Sequence, residues 1–404
     1  MKLQTIYINT IMLFSSLAML SSCIKSTDGF IPKSVSIRYE EKGLADVLAG
    51  EKNLTLFNQA FTRLSLAGQL SENTGYTIFA PTDSAFNAVG ITAQLISSMP
   101  VSDLRKLITL HIAMGAVDKP ALENTITGVG LNTLNQDTVP TANNGTTIRV
   151  TQIYARMGGS VYLNGDAKGA VKTIIKASNG FIYPISGTIK QFDSRTLLDA
   201  IKSDPELSLY YEAVIIGDSV RQAGLGFEDK SITDVNILEN ATSFMPTVLA
   251  PTNKAFLDAG FNTVDDIRQF ATSGYVGYDL ATGAYFEYSK LDSVLERHVL
   301  YRSGNLSANV RIFYSDLLNP AINNGVYNTY FGPGGSLTGI ELKFQKPLIF
   351  SASGNDAYVK WTDDVVESLL RIPRDSPGNP PVLNHNLSNG TLIKVDKLFY
   401  PAVK

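Results

Sequence analysis

A chain of 404 residues is too long for one ordinary hydrophobic core, so two or three domains are expected. Its 34 Lys and Arg nearly balance its 37 Asp and Glu, for a formal net charge of −3, and this lack of a basic field argues against nucleic-acid partners. The sole cysteine, Cys23, excludes an internal disulfide and leaves the folded part without thiol chemistry.

Lys2 precedes an apolar run from Ile6 to Leu20, which is too short and too interrupted by Asn9, Thr10, Ser15 and Ser16 to span a membrane. Residues 1–22 therefore read as a signal peptide. The run ends in Leu20-Ser21-Ser22-Cys23, which resembles a bacterial lipobox of the Bacteroidetes type. That resemblance implies cleavage before Cys23 and acylation of its sulfur and new amino group. Several acyl chains, at about 0.8 kcal/mol per buried CH₂, supply the two or more signals that stable membrane attachment needs. The alternative is a conventional signal peptide in which Cys23 is incidental. Residues 23–39 read as a tether.

From residue 40 the chain carries one module twice. Leu44-Ala45-Asp46-Val47-Leu48, continuing through Leu54 and Phe57, aligns without a gap on Leu197-Leu198-Asp199-Ala200-Ile201, continuing through Leu207 and Tyr210. Apolar residues three and four apart predict a helix in each copy. The stretch Thr77-Ile78-Phe79-Ala80-Pro81-Thr82-Asp83-Ser84-Ala85-Phe86 returns as Thr247-Val248-Leu249-Ala250-Pro251-Thr252-Asn253-Lys254-Ala255-Phe256. A buried strand ends at the proline, which has no N–H for a ladder. Thr82 or Thr252 then caps a helix whose Phe86 or Phe256 can pin it to the sheet. Leu104 to Ile112 aligns on Leu291 to Val299, bringing His111 over His298, and each copy closes on Ser-Asn-Gly before a strand, Ser178 to Gly180 and Ser388 to Gly390. The second copy is longer near Gly217 to Ala241, near Gly274 to Tyr288 and within Asn319 to Pro381. Loops tolerate such insertions and often carry specific function, whereas a shared frame is mostly packing.

The repeated corner resembles the signature of the fasciclin-like domain, a family of mostly extracellular adhesion modules. The resemblance covers about residues 40–192 and 193–401, which gives domains of 40–192 and 193–404. It implies an α+β fold with two tandem fasciclin-like domains, each a twisted sheet or wedge of about seven strands with helices packed on it. Ile189 to Arg195 offers almost no linker, so a short junction is expected.

No catalytic constellation is legible. The three histidines are scattered, without a Cys partner or a second His at helical spacing, so no metal site is proposed. Adjacent carboxylates such as Glu40-Glu41, Asp265-Asp266 and Asp363-Asp364 face different ways and read as solvated surface. Gly332-Pro333-Gly334-Gly335 lacks the Lys-Ser/Thr of a phosphate loop and reads as a turn. His111 and His298 read first as partly buried imidazoles bonded to backbone. The family resemblance also links that region to a partner-recognition patch in some animal adhesion proteins, where a neighbouring tyrosine is added; Ile112 and Val299 do not supply it. Tyr275, Tyr278, Tyr285 and Tyr288 crowd one insertion of the second copy, and Tyr327 and Tyr330 sit in another. Exposed tyrosines suit sugar rings or protein partners, and the alternative is a hairpin whose aromatics cover the domain.

The expectation is a non-enzymatic protein without cofactors, lipid-anchored in the cell envelope through Cys23 and facing outward from the outer membrane. It would bind an extracellular protein or glycan, with Tyr275, Tyr278, Tyr285, Tyr288, Tyr327, Tyr330, His298 and His111 as candidate ligand residues. An accessory glycan-binding lipoprotein of a surface polysaccharide-uptake system is the alternative, and an envelope hydrolase a third reading with no nucleophile–base pair to support it.

Overall fold

A computed structural model describes residues 42–71, 73–125, 128–140, 146–225, 238, 246–273, 290–301, 311–319, 326–329, 347–362, 365–371 and 385–399. Cys23, Tyr275, Tyr278, Tyr285, Tyr288 and Tyr330 lie outside the described residues.

The first module opens with helices α1 (Leu44–Gly50) and α2 (Thr55–Arg63). Strand β1 (Tyr76–Pro81) runs into α3 (Asp83–Ala88), followed by α4 (Ala93–Ser98) and α5 (Val101–Thr109). Then come β2 (Ile112–Met114), α6 (Lys119–Glu123), β3 (Val129–Pro140), β4 (Thr146–Gly158), β5 (Ser160–Leu163), β6 (Asp166–Ala167), β7 (Ile175–Ala177) and β8 (Gly180–Ile185). They form one eight-stranded sheet in the order β6-β5-β4-β3-β2-β1-β8-β7, with β1 and β8 parallel.

The second module repeats the plan. Helices α7 (Leu197–Ser203), α8 (Ser208–Leu225), α9 (Asn253–Asp258), α10 (Val264–Thr272), α11 (Lys290–Arg297) and α12 (Tyr314–Leu317) surround its strands. These are β9 (Thr247–Pro251), β10 (Val299–Tyr301), β11 (Val326–Thr329), β12 (Leu348–Ser353), β13 (Asp356–Trp361), β14 (Ser368–Arg371), β15 (His385–Leu387) and β16 (Gly390–Val395). Their order, β14-β13-β12-β11-β10-β9-β16-β15, matches the first sheet position for position, and β9 is parallel to β16. The expected wedge is thus eight-stranded in each copy. In the second copy β14 also pairs with β16, Leu370 opposite Val395 and Arg371 opposite Lys394, so the sheet closes on itself. A charged clasp covers that seam, with Lys394 donating to Glu206 at 2.8 Å and Arg371 bridging Glu206 and Asp396.

Strand alternation explains why β1 and β9 are buried along their whole length. Tyr76, Ile78 and Ala80 face a helical core with Leu44, Leu48, Phe57, Phe86 and Ile108, whereas Phe79 faces a second core inside the curled sheet with Leu131, Ile153 and Tyr183. In the second module Val248 and Ala250 face the helices, while Leu249 joins Phe350, Trp361, Ile393 and Phe399 inside the sheet. A strand covered on both faces loses the apolar–polar alternation of a half-exposed one and reads as a continuous apolar run.

Each closing Asn-Gly sits where a side chain would collide. A Cβ on Gly180 would stand 1.9 Å from the Tyr76 carbonyl oxygen, and one on Gly390 would stand 2.6 Å from that of Pro246. Gly180 also has φ +151°, a conformation open to glycine alone at little cost.

The junction follows β8 directly and is hydrogen-bonded on both sides. Ile189 N–H donates to His111 of the first module at 3.0 Å, Asp193 N–H to the Asn386 carbonyl of the second at 2.9 Å, and Ser388 N–H to the Arg195 carbonyl at 3.0 Å. Backbone held this way is an extension of the two sheets in place of a free linker.

Candidate functional site

The threonines, asparagines and histidines shared by the two copies are occupied by the fold. Thr77 Oγ1 donates to the Gly115 carbonyl at 2.7 Å and accepts from Val117 N–H at 2.9 Å; Thr247 Oγ1 does both to Ile312, at 2.7 and 2.9 Å. Thr82 and Thr252 cap α3 and α9, accepting from Ala85 N–H at 3.3 Å and Ala255 N–H at 3.4 Å. The next residue caps a second helix: the Asp83 carboxylate accepts from Leu56 N–H at 2.8 Å, and Asn253 Oδ1 from Leu209 N–H at 2.9 Å. Asn179 and Asn389, which the sequence marks only as turn residues, also accept from the first N–H of the opening helices, Leu44 at 2.9 Å and Leu197 at 2.7 Å. A helix start leaves its first N–H groups unsatisfied, and these side chains answer them from 135 and 192 residues away.

The histidines belong to the same frame. His111 Nδ1 donates to the Leu107 carbonyl at 2.8 Å and its Nε2 accepts from Ile189 N–H at 3.0 Å. His298 Nδ1 donates to the Leu249 carbonyl at 2.8 Å and its Nε2 accepts from Phe399 N–H at 3.1 Å. An N–H pointing at Nε2 requires a lone pair there, so the proton resides on Nδ1. Both rings are fully buried. Burial holds His111 down to about 4 and His298 to about 3, against an opposing backbone acceptor, with Lys168 and Arg297 respectively adding to the depression. They are neutral struts, removed from any surface. Tyr327, expected as an exposed ligand residue, is also in the core, edge-on to Phe350 at a ring separation of 5.3 Å, because the short strand β11 turns it inward. Nothing is available for a ligand at these three positions in this conformation.

The feature that the two modules create together is a cleft of about 330 Å³ at their junction. Lys106 at the end of α5, Asn135 and Asp137 on β3, and Arg149, Gln152 and Tyr154 on β4 form the first module's wall. The junction contributes Gln191 to Ser194, and the second module closes the cleft with Arg311 and Ser388. Three cations thus meet two carboxylates, and each carboxylate already has a cation. Asp137 lies 3.6 Å from Lys106 Nζ, and Asp193 lies 2.5 Å from Arg195 outside the cleft. Arg311 is fully buried, stacked 4.2 Å from the Phe192 ring centre and donating to the Leu387 carbonyl at 2.9 Å. Burial lowers its guanidinium to about 10, still charged at neutral pH. Arg149 is the cation of the lining that makes no ion pair among the described residues.

Contacts beside the cleft fix its walls. Tyr154 meets Phe313 edge-on at 5.9 Å, Asn386 Nδ2 donates to the Asn164 carbonyl at 3.2 Å, and Arg156 Nε donates to Asp316 at 3.0 Å while stacking 3.8 Å above the Tyr162 ring. Burial raises Tyr154, with Arg311 opposing, so its phenol stays protonated. Sequence reasoning missed this site because its residues come from β3, β4, the junction and the second module. The one available signal was the brevity of the junction. Among the described residues no group of three or more His, Cys, Asp and Glu is placed to hold a metal ion, and no helix is long and apolar enough to cross a membrane.

Residues 52–191 match the Fasciclin domain family. The match lies within the first module, and the second repeats its strand order and marker residues, so the chain holds two tandem fasciclin-like folds. No curated protein matches the chain. A solved FAS1 domain pair from the insect cell adhesion molecule Fasciclin I is similar over 86% of this chain and 97% of its own, at 14% identity and a TM-score of 0.31.

Proposed function

We propose that this chain is a non-enzymatic binding protein of the cell envelope, anchored by acylated Cys23, facing outward from the outer membrane, and recognising an extracellular glycan or protein through the cleft between its modules. One observation carries the reading: the repeated threonines, asparagines and histidines are engaged by backbone within a fold, whereas the cleft exists only because two folds are joined. A frame held by such internal bonds leaves recognition to the surface formed where the two folds meet. The match of the first module to a domain family commonly used for adhesion and binding supports the class of function. The lipobox-like Leu20-Ser21-Ser22-Cys23 supports the anchor.

A glycan and matrix-protein array probed with the full-length chain in detergent tests the binding reading, and absence of any saturable partner contradicts it. Metabolic palmitate labelling tests the anchor: Cys23→Ser should abolish incorporation, and labelling at the wild-type level contradicts acylation at that thiol. The second reading, an accessory glycan-binding lipoprotein of a surface polysaccharide-uptake system, is favoured by the small size of the cleft and the hydrogen-bonding residues along it, such as Asn135, Gln152, Gln191 and Ser194.

A further inference from the structure

The junction cleft has the chemistry of a site for one charged sugar ring. Its volume of about 330 Å³ is at the small end of the roughly 300–1,000 Å³ typical of small-molecule sites. A specific protein partner would instead need roughly 800 Å² of surface on each side, most of it outside such a cleft. Both carboxylates in the lining are already paired with cations, Asp137 with Lys106 and Asp193 with Arg195, while Arg149 makes no ion pair among the described residues. Arg149 therefore favours an anion. Polar groups surround it. Gln191, Ser194 and Ser388 line the cleft, and their side chains make no hydrogen bond among the described residues, so an amide and two hydroxyls are open to a ligand rich in hydroxyl groups. A bare carboxylate would use Arg149 and leave these three idle. A neutral sugar would use the three and leave Arg149 unanswered.

We infer that the cleft binds an acidic sugar of the uronate class, with its carboxylate toward Arg149 and its ring hydroxyls toward Gln191, Ser194 and Ser388. The inference rests on the proposal that the cleft is the recognition site and names its ligand. Because the two walls belong to different modules, an occupied cleft also ties the modules together. Ligand binding to the joined state alone stabilises it by mass action.

Calorimetric titration of the full-length chain in detergent with glucuronate, galacturonate, glucose, galactose, glutamate and sulfate tests this. The uronates should bind saturably, at least tenfold more tightly than the matching neutral sugars, glutamate or sulfate. Arg149→Gln should weaken uronate binding at least tenfold with an unchanged melting midpoint, and Ser388→Ala should weaken it less. Absence of uronate binding, equal binding of glutamate or sulfate, or full uronate affinity in Arg149→Gln overturns the inference. A chain that captures an array partner yet ignores uronates refutes the ligand assignment while leaving the binding function intact. A chain that does neither refutes both.

Discussion

Asp316 of the second module accepts a 3.0 Å hydrogen bond from Arg156 Nε of the first, with the two side chains 1% and 11% exposed. The second carboxylate oxygen of Asp316 accepts from Phe313 N–H at 3.0 Å, so the same group starts α12 and joins the modules. Burial raises Asp316 to about 6, although Arg156 and the Phe313 N–H pull it down. A carboxyl whose folded pKa is raised favours the folded state below its unfolded value near 4, and that contribution is lost as pH rises through 6. Losing a partner from a buried pair costs about 3–5 kcal/mol because a charge is left uncompensated. Arg156→Ala should therefore destabilise the chain by about 3 kcal/mol at pH 8 and by less at pH 5, where Asp316 can protonate. Denaturant titration at both pH values checks it, and an equal loss at both contradicts the burial of an ionised Asp316.

The two histidines act in the opposite direction. Each has a depressed folded pKa, so its stabilising contribution is present above the unfolded value near 6.5 and is lost as pH falls toward 4 for His111 and 3 for His298. Every tenfold loss of proton affinity on folding corresponds to about 1.4 kcal/mol, so across their windows the ring of His111 contributes on the order of 3 kcal/mol and that of His298 on the order of 5 kcal/mol. Together they should outweigh Asp316, and stability should fall from pH 6.5 to 4. His298→Leu should cost about 2–4 kcal/mol at pH 7, since it orphans Phe399 N–H and the Leu249 carbonyl, and it should flatten the acid limb. A variant with an acid limb as steep as the parent would contradict the neutral-strut assignment.

The cap residues give an asymmetric pair. Asn389 is buried and ties its turn to two backbone segments, accepting from Leu197 N–H and donating to the Leu238 carbonyl at 2.7 Å, whereas Asn179 is half-buried and serves Leu44 N–H. Asn389→Ala should cost about 2–3 kcal/mol and Asn179→Ala about 1 kcal/mol. Equal midpoint shifts for the two in denaturant would show that the Leu238 contact contributes nothing.

Phe86 and Phe256 are fully buried at the strand-to-helix corner, Phe86 stacking on Phe57 at 6.2 Å and Phe256 edge-on to Phe261 at 6.2 Å. Truncation of either to Ala should cost about 3–5 kcal/mol, the range for a core aromatic. An unchanged unfolding midpoint would place that ring outside the core.

What is legible in the sequence is what acts locally. The Thr82 and Thr252 caps, the strand ending in proline and the opening helices each follow from neighbours a few residues apart, and repetition makes them visible twice. The second duty of Asn179 and Asn389 cannot be read, because their helix-start partners are remote in the chain. Tyr327 reads as exposed among Gly, Asn and Thr, yet β11 is short and its pleat decides direction, sending the ring against Phe350. The long hairpin of β3 and β4 leaves no clear alternation, with a register shift between Asn132 and Gln136, so Arg149, Gln152 and Tyr154 cannot be placed on a common wall from sequence. Arg156 and Asp316 stand 160 residues apart, a pairing that only the docked modules create.

The most direct measurement asks whether recognition belongs to the cleft or to the repeated frame. Affinity of the full-length chain for its best array partner should be compared for Arg149→Glu and His298→Ala, with melting curves recorded for each so that unfolding is not mistaken for lost binding. Arg149→Glu should lower affinity at least tenfold at an unchanged melting midpoint, whereas His298→Ala should lower the midpoint and, while folded, bind as the parent does. Full affinity in Arg149→Glu, with binding lost in folded His298→Ala, would contradict the account and return recognition to the histidine-bearing helix end.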